Sequence, residues 1–295
     1  MSREGMSRVG QPVVCGVEES RSSSRMADED YDDFEEEISR DEVSLSPEAA
    51  DPQWLIDAKV PEDLRAKYEV YSYRSAATIL AESHPEEFAE LCEALRDFVI
   101  TRKIIRTAGG NESDVPKLLS ASLRPKGWHE TIIRGDLMVE KISRVQVGVQ
   151  KNGKPKTEPK RVVIRRAKYL DGHKVDYVKG RVAFDLEWNS KDQTFDRDLY
   201  AFSAFAQTGV IDVGVLVTRG GPEMTDFIRS LGQSLDKKGQ PEFTKSGKPR
   251  MVGAKYGAST TWMGKLLYRL NAGRNGACPV LVFGITPRCV ADEPS

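Results

Sequence analysis

Long apolar runs are missing from this chain. No stretch approaches the ~18 apolar residues that a membrane-spanning helix requires. The longest, such as Val210–Val217, is strand-length and is interrupted by Asp212 and Gly214. Arg3 and Arg8 near the N-terminus have no continuous apolar segment behind them, so no secretory signal is expected. Cysteine is scarce: Cys15, Cys92, Cys278 and Cys289 are widely spaced, which indicates neither a zinc ligand set nor a disulfide framework. A reducing, cytoplasmic setting without membrane contact is the expectation. Only three histidines occur (His84, His129 and His173), too few for a histidine-rich metal centre or an HNH-type nuclease site.

Net charge is nearly absent as well, with 44 Lys and Arg against 45 Asp and Glu. That balance is an average over two unlike parts. Residues 1–50 hold 14 acidic and 5 basic side chains, which leaves 31 acidic and 39 basic in 51–295, a net of +8. Asp28–Glu42 alone contains ten acids and one arginine, too charged and too poor in apolar groups to offset the entropy of ordering. Residues 1–50 are therefore expected to be a disordered acidic segment, either a shield for a basic surface or a solvated terminus. Residues 51–295 suffice for a folded domain with a real core.

Within that body, Leu64, Tyr68, Tyr71, Ala76, Ile79 and Leu80 recur at helical spacing and predict helix over Pro61–Glu82. A second helix is predicted from Pro85, with Glu86 and Glu87 at its positive end. Phe88, Leu91, Cys92, Leu95, Phe98 and Val99 form its apolar stripe, Arg102, Lys103 and Arg106 its last turns, and Gly109–Gly110 its stop. Beyond Asp136, Val139, Val145, Val147, Val149, Val162, Val163 and Ile164 point to strands, interrupted by a loop over Lys151–Lys160. From Lys141 to Arg181 there are 13 Lys or Arg and only three acids, Glu158, Asp171 and Asp176. Such a run is often a solvated surface, but an acidic cluster follows it directly.

Arg181–Asn189 reads RVAFDLEWN. As a strand it puts Val182, Phe184, Leu186 and Trp188 on one face, and Ala183, Asp185, Glu187 and Asn189 on the other. HKVDYV, over His173–Val178, precedes it, and Lys179–Gly180 can form a two-residue hairpin loop. That register sets Asp176 opposite Ala183 and diagonal to Asp185, about 7–8 Å away between backbones. Carboxylates so placed repel unless a cation lies among them, and a hard divalent ion with oxygen ligands resolves the conflict. The alternative is a polar outer strand face balanced by Lys174, Lys179, Lys191 and Arg197. After Asn189–Phe195, Asp196 can cap a helix from Arg197 to about Gln207 with Leu199, Phe202 and Ala206 as packing face. Val210–Thr218 then reads as a buried strand. Hairpin, helix and buried strand together predict an α/β fold with the acids on the exposed face of its central strand.

VDYVKGRVAFDLEWNSKDQTFDRDL, followed by GVIDVGVLVTR, resembles the core of the BglII-type restriction endonucleases, members of the PD-(D/E)xK nuclease superfamily. GWHE (Gly127–Glu130), STTWMGKLLYRL and CPVLVFGI extend the resemblance over about Tyr68–Ile285. Acids two apart are common, whereas the stretch Glu187–Leu199 is much more specific. The resemblance implies a restriction-endonuclease-like catalytic domain over 51–295, with a mixed central sheet flanked by helices. It implies Mg²⁺-dependent cleavage of double-stranded DNA at a specific sequence, a homodimer if the target is a palindrome, and a possible companion DNA methyltransferase. Asp176, Asp185, the Leu186 backbone carbonyl and Glu187 would hold the metal. Glu187 stands where the wider superfamily often has lysine, which leaves Glu187 or a water on the metal as general base. Asn189 and Lys191 are further catalytic candidates, for orienting water and reaching phosphate. Glu130 is a weaker candidate carboxylate, His129 reads as structural or surface, and Arg197 either bridges the carboxylates or holds the helix. Gly232–Lys255, with six cations and two acids, suits either a DNA-contacting or a plain surface loop. Two other readings stay open: a low-specificity nuclease of DNA repair or defence, and a non-catalytic DNA-binding regulator on the same fold.

Overall fold

The computed structural model describes residues 49–107, 114–257 and 259–291. The predicted acidic segment lies almost entirely outside them, as do Cys15 and Gly109–Gly110. In chain order the first elements are helices α1 (Gln53–Lys59) and α2 (Glu62–Lys67), strand β1 (Tyr68–Tyr73), and helices α3 (Ala76–Ser83) and α4 (Pro85–Asp97). A short strand β2 (Ile100–Thr101) and helices α5 (Arg102–Arg106) and α6 (Asp114–Leu123) precede the long strands β3 (His129–Val149) and β4 (Pro155–Lys179). Next come β5 (Val182–Glu187), α7 (Thr194–Gln207), β6 (Val213–Arg219), α8 (Pro222–Ser230), α9 (Val252–Lys255), α10 (Met263–Asn271), β7 (Val280–Ile285) and β8 (Val290–Ala291).

Six strands form one mixed sheet in the order β1-β7-β6-β5-β4-β3. β5, β6 and β7 run parallel, and β1, β4 and β3 pair antiparallel to their neighbours. The three parallel strands are buried along their whole length, as expected when helices cover both faces of a parallel sheet. Val182, Phe184, Leu186 and Trp188 face the cluster that includes Leu91 and Leu95 of α4 and Leu119 of α6. Ala183 faces the opposite cluster, built on Phe195, Phe202, Leu266 and Leu267 of α7 and α10. Each fully buried Phe or Leu there contributes about 1.5–3 kcal/mol relative to exposure. No helix among the described residues is long and apolar enough to cross a membrane.

Several expectations require correction. Pro61–Glu82 is not one helix, because β1 divides it. Tyr68–Tyr73 pairs with β7 at the sheet edge, where tertiary pairing overrides the local periodicity. The helix from Pro85 ends at Asp97, since Phe98 takes an extended conformation. Arg102, Lys103 and Arg106 therefore belong to a separate five-residue helix, α5. Lys151–Lys160 is only partly a loop, because β4 already begins at Pro155. α7 starts at Thr194, so Asp196 lies in its first turn rather than capping it, and pairs with Arg269 and Arg274. The buried strand starts at Val213, three residues later than Val210. Cys92, Cys278 and Cys289 are free and buried, without a disulfide among the described residues.

α7 crosses β6 at Gly214, where an added Cβ would run into the Phe202 ring. Gly214→Ala should lower stability by about 1–3 kcal/mol through overpacking. This would appear as a lower urea midpoint at unchanged slope. An unaltered midpoint would mean that α7 does not sit this close to the sheet.

Candidate active site

The β4–β5 turn determines which carboxylates meet. Lys179 pairs with Val182, Val178 with Ala183 and Tyr177 with Phe184. The loop is therefore Gly180–Arg181 and not Lys179–Gly180. Gly180 has φ 54°, a conformation that costs glycine nothing. One residue further along this register, Asp176 falls directly opposite Asp185, not diagonal to it. The contact is tight: the Asp176 backbone N–H donates to Asp185 Oδ1 at 2.7 Å, and the Leu186 N–H donates to Asp176 Oδ2 at 3.4 Å.

The face carrying Asp185 and Glu187 is not exposed, contrary to expectation. Asp185 is 3% and Glu187 7% accessible, because α7 packs over this side of β5. Burial pushes the Asp185 carboxyl well above the ordinary range, and the neighbouring Asp198 and Asp176 push it further. Burial and then Asp198 raise Glu187 to about 8. Asp176 is half-buried and raised in the same sense, again chiefly by desolvation.

Asp198 did not figure among the sequence candidates. It projects from α7 and is 1% accessible. Ligand atoms of His173, Asp185 and Asp198 lie within 4.8 Å of one another. His173 Nε2 is 3.4 Å from Asp198 Oδ1 without the geometry of a hydrogen bond. A signal for Asp198 did exist in the sequence. It stands on the i, i+3, i+4, i+7 stripe of Phe195, Leu199 and Phe202, where an ionised side chain is out of place unless it has work to do. His173 carried no comparable signal, because only the β3–β4 pairing brings it inward.

Arg197 bridges the carboxylates, one of the two roles foreseen for it. Its guanidinium donates to Asp198 Oδ1 at 3.1 Å and lies 3.8 Å from Glu187 Oε1. Asn189 follows the strand. Its Nδ2 donates to the Lys255 carbonyl at 3.3 Å, and its Oδ1 is buried without a partner. Lys191 is exposed in the loop, where its backbone bridges to Thr260. Glu130 forms a 2.7 Å ion pair with Lys174. His129 is exposed, and Trp128 is fully buried with its Nε1–H donating to Glu90. Of Gly232–Lys255, the part up to Met251 folds as successive tight turns pinned by the bridges Gln233–Met251, Leu235–Pro241 and Phe243–Pro249, and the rest is α9.

A hairpin, a buried parallel strand and a covering helix thus converge four carboxylates at one place. Residues 68–285 match the family described as Restriction endonuclease BglII/BglIII. The chain belongs to that family. It is a deoxyribonuclease, a type II site-specific endonuclease whose substrate is DNA, on a restriction-endonuclease-like mixed α/β fold. No curated protein matches the sequence. Restriction endonucleases require a divalent metal ion. The residues here fit one: Asp185 Oδ2, Glu187 Oε2 and Asp198 Oδ2 are buried with no hydrogen-bond partner, and His173 Nε2 joins them. Such an oxygen-rich, partnerless set suits a hard cation, whose charge would relieve the mutual repulsion.

Asp185→Asn keeps an oxygen to accept from the Asp176 N–H while deleting a desolvated charge. In chelator this variant should be more stable than the parent by on the order of 1 kcal/mol, roughly 2–4 °C in Tm for a domain of this size. The parent should gain stability on adding a divalent metal ion, as any ligand of the native state confers it, and the variant should gain much less. Equal metal-induced shifts in scanning calorimetry would show that Asp185 does not hold the ion.

Proposed function

We propose that this chain hydrolyses phosphodiester bonds of double-stranded DNA as a Mg²⁺-dependent, sequence-specific endonuclease with its centre at Asp176, Asp185 and Glu187. The observation that carries the proposal is the set of buried, partnerless carboxylate oxygens at the end of β5. Asp176, Asp185, Glu187 and the Leu186 backbone carbonyl would hold the ion, with Asp198 and His173 beside them. The Leu186 N–H already points at Asp176, and the carbonyl of the same residue lies on the same edge of the strand. Bound there, Mg²⁺ supplies a Lewis acid for the charge that develops on the phosphate oxygens.

The protein's own groups supply the rest. Glu187, whose Oε2 has no hydrogen-bond partner within the chain, can accept a proton from an attacking water. Arg197 lies against Glu187 and Asp198 and sets their orientation, while its solvent-facing side remains open to a phosphate. Asn189 offers its free Oδ1 to orient water. Lys191, exposed on the loop beyond, offers a cation to the scissile phosphate. Neither role depends on a contact already made within the chain.

Specific recognition of a palindrome calls for a two-fold protein, hence a homodimer. A chain that cuts a defined sequence in the cytoplasm also calls for a companion methyltransferase to protect the same sequence in host DNA. Asp185→Ala should lose cleavage by about 10²–10³-fold, the scale of removing one electrostatic stabiliser from an active site. Its affinity for duplex DNA should persist. Plasmid digestion in Mg²⁺ checks both claims: discrete bands from the parent support specificity, and a smear supports the low-specificity reading. Full cleavage by the alanine variant would discard the assignment of the centre.

A further inference from the structure

β3 and β4 are 21 and 25 residues long, far beyond the rest of the sheet. Only their bases contribute to the core, through Ile133, Val175 and Tyr177. Beyond Leu137 on β3 and Leu170 on β4 the two strands continue as a ribbon with solvent on both faces. Apolar side chains stand exposed along it, among them Met138 on one face and Val139 and Ile164 on the other. A bare two-stranded ribbon is marginal in water, and a long unpaired edge invites association. An arm of this kind needs a partner.

Its charge says which. Residues 136–168 contain ten Lys and Arg and three acids, a net of +7 out of the +8 carried by 51–295. All three acids are engaged: Asp136 accepts from the Lys168 N–H, Glu140 pairs with Arg161 and Glu158 with Lys156. Lys141, Arg144, Lys160, Arg165 and Arg166 form no ion pair with a described residue. The cross-strand register distributes them over both faces. Lys141, Lys160 and Arg166 share one face, and Arg144 and Arg165 the other. Two such arms would repel each other, whereas a polyanion that fits between or around them would not.

The base of the arm is also built to aim it. Gly135 pairs with Leu170 and Leu137 with Arg166, so three residues of β4 bulge against one of β3. Within that bulge Lys168 takes a left-handed φ of 53°, and its N–H is held by Asp136 Oδ1 at 2.8 Å. Bulges of this sort turn a strand in a defined direction. From Leu137 to Gln150 the arm extends roughly 43 Å at ~3.3 Å per residue, more than one ~34 Å turn of duplex.

Resting on the assignment of duplex DNA as substrate, we infer that the β3–β4 ribbon is the arm that grips it, a two-stranded ribbon of the width the major groove admits. The cations contact phosphates on either side of the groove and supply most of the electrostatic affinity. The chemistry lies elsewhere: the Lys141–Val162 pair is eight residues beyond Ile133–His173 along β3, roughly 26 Å from the catalytic end.

The test is a quintuple variant, Lys141→Gln, Arg144→Gln, Lys160→Gln, Arg165→Gln and Arg166→Gln, compared with the parent for binding a fluorescent mixed-sequence duplex in EDTA at several salt concentrations. Affinity should fall at least about tenfold. The slope of log K against log salt should shrink by about 0.9 for each phosphate that is no longer neutralised. Single-turnover cleavage in Mg²⁺ at saturating DNA should stay within about twofold of the parent. A companion variant with Arg144, Arg165 and Arg166 each changed to Lys should retain both affinity and slope, which separates a change in charge from a failure to fold. Unchanged affinity and slope in the glutamine variant, while the parent binds and cuts, would overturn the arm and leave the nuclease standing. A fall in sedimentation mass with DNA affinity intact would likewise overturn it, identifying the ribbon as a contact between copies. If the parent itself neither binds nor cuts duplex DNA, it is the substrate assignment that fails.

Discussion

Asp185 and Glu187 are ionisable groups in one of the most buried strands of the sheet, and much of the rest of the architecture follows from holding them there. Removing a carboxylate from water is costly, and setting several side by side raises the cost through repulsion. The alternate residues of the same strand offset it. Val182, Phe184 and Leu186 anchor one face of β5 in the larger apolar cluster, so the strand cannot rotate its acids out to solvent without withdrawing its own apolar side chains from the core. The site is thus a strained set of charges clamped by packing, which is the condition under which a cation bound there gains most.

Three elements from different parts of the chain complete the clamp. The Gly180–Arg181 turn sets the register that brings Asp176 against Asp185. α7 closes the other side and delivers Asp198 into the cluster, along with Arg197 as the nearest compensating charge. β6 holds the strand from its far edge, and the Thr218 hydroxyl donates to the Glu187 carbonyl at 2.8 Å. Most of the body's net positive charge lies on the β3–β4 ribbon, where ten basic residues face three acids, apart from this acidic centre.

The local pattern was most legible where burial and periodicity agree. The alternation in RVAFDLEWN, the helix following it and the apolar β6 are visible in one dimension, since each depends on a repeat of two or of about 3.6 residues. Legibility failed where long-range pairing overrode local preference. Tyr68–Tyr73 has residues at helical spacing but completes the sheet edge against β7. Phe98 and Val99 continue an apolar stripe beyond the point where the helix stops. The hairpin slipped by one residue because both Lys179–Gly180 and Gly180–Arg181 can host a turn, and only the packed strands choose between them.

What the sequence by itself determined is a pattern: Asp185 and Glu187 two apart on a strand whose other face is apolar, with Asp176 on the strand before it, in a chain of a nuclease family. Residue type and spacing are properties of the covalent chain and need no fold to be read. Only the tertiary structure decided that these acids are buried, that Asp176 stands opposite Asp185, and that Asp198 and His173 join them. It also showed that nearly all of the body's excess positive charge rides on one ribbon free of the core. Those facts depend on register and on contacts between residues distant in the chain, whose energies come from packing that no local window contains.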